Sequence, residues 1–77
     1  MQTRGKIVVD PEIRFGKPCI RDTRITVQEV LELINEGLSF REIIEDYYPE
    51  LTEDDIKACI RYAIDLISSE DVHLEAV

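Results

Sequence analysis

Four basic side chains recur every three or four residues near the N-terminus: Arg14, Lys17, Arg21 and Arg24. Cations at this spacing can contact the phosphates of a nucleic acid, and a β-ribbon that carries them can enter a major groove. They can equally pair with acidic helices across a dimer or contact an acidic partner. The sequence gives these two interpretations equal weight. We take the four residues as the candidate nucleic-acid-binding site.

The charge is divided between two parts of the chain. Residues 1–24 hold six basic and three acidic side chains, a net charge of +3, whereas residues 25–77 hold three basic and fourteen acidic ones, a net charge of −11. The overall acidity argues against indiscriminate binding to phosphate, but it permits binding through a local basic patch. The division predicts a protein that meets two kinds of surface, or one surface with two faces.

The residue types do not favour an enzyme. The sequence contains no Ser–His–Asp set, phosphate-binding loop or GxSxG elbow, and no cofactor is predicted. Cys19 and Cys59 are forty residues apart and His73 is the only histidine, so a zinc site lacks ligands and no metal is expected. Each cysteine is interpreted as a small buried hydrophobe, and a disulfide between them stays an alternative.

The length of the chain predicts one domain and a partner. A chain of 77 residues buries only about 60–65% of the surface that its unfolded form exposes, so its own core is marginal. Dimerisation adds buried area, and we therefore expect a homodimer. No stretch resembles a signal peptide or a membrane span, which predicts a cytoplasmic protein without membrane contact.

The first 25 residues predict a small β arm. Residues 6–9 are largely β-branched and end at Asp10-Pro11, while residues 18–21 form a second candidate strand after the turn at residues 16–18. A two-stranded ribbon is unstable alone. The arm is therefore expected to lie on the helices or on a second subunit.

The rest of the chain predicts a core of three helices within residues 26–68. Capping-box patterns mark the three helix starts: Thr26 with Glu29, Ser39 with Glu42, and Thr52 with Asp55. The predicted helices cover residues 27–36, 40–47 and 53–68, and Gly37 ends the first of them. The acidic tail, residues 69–77, is expected to be frayed or to dock on a partner through Val72, Leu74 and Val77.

Apolar spacing predicts the buried face of each helix. For the first helix the face comprises Val27, Val30, Leu31 and Ile34. For the second helix it comprises Phe40, Ile43, Ile44 and Tyr47. For the third helix it comprises Ile56, Cys59, Ile60, Ala63, Ile64 and Ile67.

Three helices, the last two joined by a tight proline-containing link, form the skeleton of a helix-turn-helix domain. In such a domain the start of the recognition helix enters the major groove. Here that start is Glu53-Asp54-Asp55, which repels phosphate, and these carboxylates are interpreted as helix caps. The arm is therefore the better candidate for contact with nucleic acid.

A run of motifs carries a family resemblance. The motifs are Gly16-Lys17-Pro18-x-Ile20-Arg21-x-Thr23-Arg24-Ile25-x-Val27, Gly37-Leu38-Ser39, Glu42-Ile43-Ile44, Tyr48-Pro49-x-Leu51-Thr52 and Asp55-Ile56. Over roughly residues 7–67 the chain closely resembles the small prokaryotic family named domain of unknown function 433. The resemblance implies a mainly α, homeodomain-like helix-turn-helix bundle with an N-terminal β arm, often dimeric. It also implies an antitoxin of a type II toxin–antitoxin pair, beside a PIN-like ribonuclease toxin.

The chain departs from the family pattern at two positions. Asp22 stands where the family usually has glycine before Thr-Arg, and Phe15 stands where a second glycine is common. Aspartate tolerates the left-handed turn that a glycine would make, so the same fold is expected with a stiffer arm.

The sequence therefore predicts an antitoxin-like binding protein. It would neutralise a PIN-like ribonuclease toxin and bind double-stranded operator DNA through its arm. Two alternatives stay open: a stand-alone DNA-binding regulator, and a dimerisation module with no nucleic-acid role.

Overall fold

A three-stranded antiparallel sheet forms the N-terminal part of the computed structural model, which describes residues 2–69. Its strands are β1 (Gln2–Arg4), β2 (Ile7–Val9) and β3 (Cys19–Ile20), in the spatial order β1-β2-β3. The sequence predicts only two strands. The polar, fully exposed strand β1 has no apolar alternation, and it joins β2 through a two-residue turn in which Gly5 adopts a φ of 58°.

The sheet lies against the helices, as expected for the arm. Ile7 of β2 is opposite Ile20 of β3, and both side chains belong to the main hydrophobic core. Side chains alternate between the two faces of a strand, so the neighbouring pair, Val8 and Cys19, lies on the other face. The sheet thus contributes one face to the core and one face to the site described below.

Three helices follow at the predicted starts. They are α1 (Val27–Asn35), α2 (Phe40–Glu42, continued by a π turn at Ile43–Tyr47) and α3 (Glu53–Ser69). All three capping boxes are formed, with the N–H groups of Thr26, Ser39 and Thr52 each 2.9 Å from the carboxylate three residues on. Gly37 ends α1 at a φ of 98°, and the N–H of Leu38 donates to the carbonyl of Leu33 at 3.2 Å.

The π turn changes which tyrosine is buried. The N–H of Tyr48 donates to the carbonyl of Ile43, five residues earlier, at 2.9 Å. A wider turn needs one more residue to return to the same face, so Tyr48 is half-buried while Tyr47 is exposed. The prediction that Tyr47 lies on the buried face is wrong for this reason.

The predicted apolar face of α3 is buried in the first half of the helix and exposed towards the end of the second half. Ile56 and Cys59 are completely buried, but Ile64 is 41% exposed and Ile67 is 68% exposed. At 1.5 Å per residue, the seventeen residues of α3 span about 25 Å and the nine of α1 only about 14 Å. Helix α1 is too short to cover the whole of α3, and the prediction that Ile64 and Ile67 are buried is wrong.

Both cysteines are buried and free, which confirms their interpretation as small hydrophobes rather than a disulfide. The fold is mainly α, with three helices and a small sheet. No helix among residues 2–69 is long and apolar enough to cross a membrane.

Candidate nucleic-acid interface

A left-handed turn at Arg14–Gly16 shapes the arm. The φ angles of Arg14, Phe15 and Gly16 are 48°, 59° and 83°. For a residue other than glycine the left-handed region costs about 1–2 kcal/mol, so contacts elsewhere must hold the turn. Two backbone hydrogen bonds close it: Gly16 N–H donates to Ile13 and Lys17 N–H donates to Arg14, both at 3.1 Å.

Arg14 ties this turn to the first helix. One guanidinium nitrogen donates to the carbonyl of Arg24 at 2.8 Å and to Glu29 Oε1 at 3.0 Å. The same carboxylate accepts hydrogen bonds from the N–H and the hydroxyl of Thr26. The Thr26 N–H, its hydroxyl and the Arg14 guanidinium together hold the pKa of Glu29 below its ordinary value, although burial opposes them. Arg14 therefore joins the turn to the first helix through a half-buried side chain.

The other three predicted site residues, Lys17, Arg21 and Arg24, are exposed, and we call them the arm cations. Within residues 2–69 none of them forms an ion pair with a carboxylate. Lys57 is the only other basic side chain of these residues that lacks such an ion pair. Arg21 donates to the carbonyl of Gly5 at 2.6 Å, which neutralises no charge. The structure thus separates Arg14 from the three cations that face solvent.

The remaining basic side chains of residues 2–69 are paired with carboxylates. They are Arg4 with Asp65, Lys6 with Asp55, Arg14 with Glu29, Arg41 with Glu45, and Arg61 with Asp65. Outside the arm cations, most positive charge of this region is therefore neutralised locally.

A cleft of about 560 Å³ opens beside the arm cations. Its apolar lining residues are Val8, Ile13, Cys19 and Ile20, and its polar and charged ones are Thr3, Arg21, Asp22, Thr23 and Arg24. Burial raises the pKa of the Cys19 thiol, which donates to the carbonyl of Lys17 at 3.4 Å. The cleft thus combines apolar side chains with two arginines and one aspartate.

The acidic start of α3 makes its contacts within the chain. Asp55 accepts the Thr52 N–H, and its other carboxylate oxygen lies 3.1 Å from the Lys6 ammonium. Burial raises the pKa of Asp55, but the Thr52 N–H and the Lys6 ammonium outweigh it, so the net shift is downward. Asp55 is therefore the helix cap that the sequence predicts.

Phe15 is the feature that sequence reasoning missed. Its side chain is 96% exposed at the tip of the left-handed turn, one residue from Arg14 and two from Lys17. The signal was its occurrence at a position where glycine is common. Positive φ is unusual for a bulky residue, and this side chain extends into solvent.

The sequence of this chain matches the family model described as "Protein of unknown function (DUF433)" over residues 7–63, most of its length. The chain is a member of the DUF433 family. This confirms the family that the motifs around residues 16–27 predict.

A solved structure supports the same assignment. The chain is similar to a DUF433 member protein from Anabaena variabilis known from a crystal structure, with 28% sequence identity and a TM-score of 0.73. The match covers 82% of this chain and 61% of that protein, so this chain spans only part of its DUF433 relative. No curated protein is significantly similar to it.

Two further predictions concern the partner contacts of the tail and a metal site. Val72, Leu74 and Val77, predicted as partner contacts, lie outside the described residues, as does most of the acidic tail. Across residues 2–69, no three histidine, cysteine or carboxylate side chains of this DUF433 protein converge as a metal site would require.

Proposed function

We propose that this DUF433 protein is an antitoxin-like binding protein whose arm binds double-stranded DNA. One observation carries the proposal: Lys17, Arg21 and Arg24 are exposed and without ion pairs among residues 2–69, on a chain with a net charge of −8. A surface that keeps its positive charge attracts phosphate even on an acidic protein.

The negative charge at the start of α3 favours the arm as the DNA contact. In a homeodomain-like helix-turn-helix arrangement the start of α3 would meet the major groove, but it carries Glu53, Asp54 and Asp55. Their negative charge opposes a close approach to phosphate. In a homodimer two arms present six arm cations, and the β-ribbon of each arm enters a groove.

The second half of α3 supports a protein partner. Ile64, Leu66 and Ile67 are exposed there, and the charged side chains of that half, Arg61 and Asp65, form an ion pair. Exposed apolar side chains rimmed by charge are typical of protein contacts. In the antitoxin hypothesis this apolar surface contacts the PIN-like ribonuclease, acidic residues elsewhere on the helices face the basic surface of that toxin, and the arm binds operator DNA.

Fluorescence anisotropy on a labelled duplex of about two helical turns tests the DNA contact. We expect the triple substitution Lys17→Ala, Arg21→Ala, Arg24→Ala to abolish binding at low salt. The matched control removes one lysine and two arginines from the helices: Arg41→Ala, Lys57→Ala, Arg61→Ala. Equal losses in both variants would contradict the proposal, because only net charge would then matter.

Co-expression with the product of the adjacent reading frame tests the antitoxin role. We expect that product to be toxic alone, and to be neutral and complexed when this protein is present. If it is harmless alone and forms no complex while the duplex still binds, the protein is a stand-alone DNA-binding regulator. If no duplex binds at low salt either, the protein is a dimerisation module.

A further inference from the structure

We propose that Phe15 is a stacking residue for an unpaired nucleobase, so that the arm binds most tightly where bases are accessible, as in single strands and bulges. This inference rests on the proposed nucleic-acid contact of the arm. It adds an aromatic contact and a preferred class of nucleic acid.

The exposure of Phe15 is the first observation. At 96% exposure the phenyl ring has both faces in solvent, whereas the next most exposed large apolar side chain, Ile67, is 68% exposed. A ring with two free faces can stack on a base or insert between two bases. A single fully exposed phenylalanine makes no contribution to the core of this chain.

The backbone holds the ring in that position. Phe15 lies at a φ of 59°, between Arg14 and Gly16, which are also left-handed. The guanidinium of Arg14 fixes the turn through the carbonyl of Arg24 and the carboxylate of Glu29. The backbone at Phe15 is therefore preorganised, and little of its conformational freedom is lost when the ring makes a contact.

The surroundings of the ring indicate an anionic ligand with flat apolar groups. Lys17 follows Phe15 by two residues, and Arg24 is linked to the same turn through its carbonyl. Both cations are exposed and lack carboxylate partners among the described residues. Aromatic side chains set among free cations are typical of surfaces that bind single-stranded nucleic acid.

The neighbouring cleft strengthens this assignment. Ile13, two residues before Phe15, lines it together with Val8 and Cys19, and its charged lining residues are Arg21, Asp22 and Arg24, two cations and one carboxylate. Its volume of about 560 Å³ and its apolar lining residues suit a flat group such as an extruded base. A base displaced from the stack thus has an apolar site next to cations that hold the adjoining phosphates.

Two substitutions separate stacking from other roles of Phe15. Phe15→Gly removes the ring and suits the positive φ, so the fold should be retained. Phe15→Leu keeps an exposed apolar side chain and removes the aromatic face. Anisotropy is measured on a 12-nucleotide single strand, a blunt duplex, and a duplex with a two-nucleotide bulge.

We expect the wild-type protein to prefer the single strand and the bulged duplex over the blunt duplex. Both variants should lose about tenfold in affinity for the single strand and the bulge, with a change below twofold on the blunt duplex. A 2-aminopurine placed in the bulge should change its fluorescence with the wild-type protein and not with either variant.

Four results would overturn the inference. Unchanged single-strand affinity in both variants, while the triple alanine variant loses duplex binding, would remove Phe15 and leave the proposed function intact. A loss with Phe15→Gly but not with Phe15→Leu would indicate apolar packing, not stacking. A variant that shifts the sedimentation coefficient without changing nucleic-acid affinity would show that Phe15 anchors a second copy. No binding of any nucleic acid by the wild type would refute the proposed DNA contact as well.

Discussion

Arg14 and Phe15 are consecutive residues that the left-handed turn sends in opposite directions. The Arg14 guanidinium donates to Glu29 and to the carbonyl of Arg24 on the protein surface, while the Phe15 ring extends into solvent. A single basic residue thus supports the position of its neighbour. Arg14 orders the arm, and Phe15 is exposed on it for contact with a ligand.

The carboxyl of Glu29 makes stability depend on pH. Its pKa is lowered in the folded protein from an ordinary value of 4.5, so its contribution is complete above that value and is lost as the pH falls through the folded pKa. Glu29→Gln keeps an oxygen that accepts the Thr26 N–H but removes the titration. We expect urea unfolding below pH 4.5 to show a smaller fall in stability for the variant. Parallel pH profiles would contradict this assignment.

The two thiols should be unreactive in the folded protein. Burial raises the pKa of Cys59 to about 12, with a further contribution from the Asp55 carboxylate, and burial also raises the pKa of Cys19. Since the thiolate is the reactive form, neither cysteine should react with a disulfide reagent at pH 8. Both should react at once in guanidinium. Rapid reaction of one thiol in native protein would indicate that its site opens.

At the scale of elements, the sequence predicts features set by local hydrogen bonds better than features set by tertiary packing. The capping boxes and Gly37 mark helix ends correctly because their hydrogen bonds join residues three to five apart. The π turn and the exposed end of α3 were missed, because they depend on how the helices pack and on where their neighbours stop. The charge pattern predicts the arm cations, but the Arg14–Glu29 contact spans fifteen residues and has no periodic signal.

The capping box of α1 should contribute measurably to stability. Thr26 is buried, and its hydroxyl accepts the N–H of Glu29 at 3.0 Å. We expect Thr26→Ala to lower the free energy of unfolding by about 1–2 kcal/mol in urea. The control is Thr3→Ala on the exposed strand β1, for which we expect a change within about 0.5 kcal/mol. Equal effects would mean that the cap contributes nothing.

The two halves of α3 should respond differently to the same substitution. Ile56 is completely buried and Ile67 is 68% exposed. Ile56→Ala should lower the free energy of unfolding by about 2–5 kcal/mol, because it leaves a cavity, whereas Ile67→Ala should change it by less than about 0.5 kcal/mol. Urea unfolding at several protein concentrations measures both. A cost at Ile67 that grows with concentration would show that a second copy covers this half of α3.

On the scale of the whole molecule, charge separation connects structure with the proposed function. The chain has a net charge of −8, yet its exposed cations without carboxylate partners among residues 2–69 are concentrated on the arm. The acidic remainder limits binding to orientations in which the arm faces the nucleic acid. Such binding should be strongly salt-dependent and should require the arm cations specifically.

The salt dependence of duplex affinity is the most direct measurement of that claim. Each phosphate contact contributes about −0.9 to the slope of log K against log salt, so three arm cations predict about −2.7 per protomer. The wild type and the helix control, Arg41→Ala, Lys57→Ala, Arg61→Ala, should share this slope. The arm variant, Lys17→Ala, Arg21→Ala, Arg24→Ala, should show a slope near zero and little affinity. An unchanged slope in the arm variant, or the same loss in the helix control, would contradict the account.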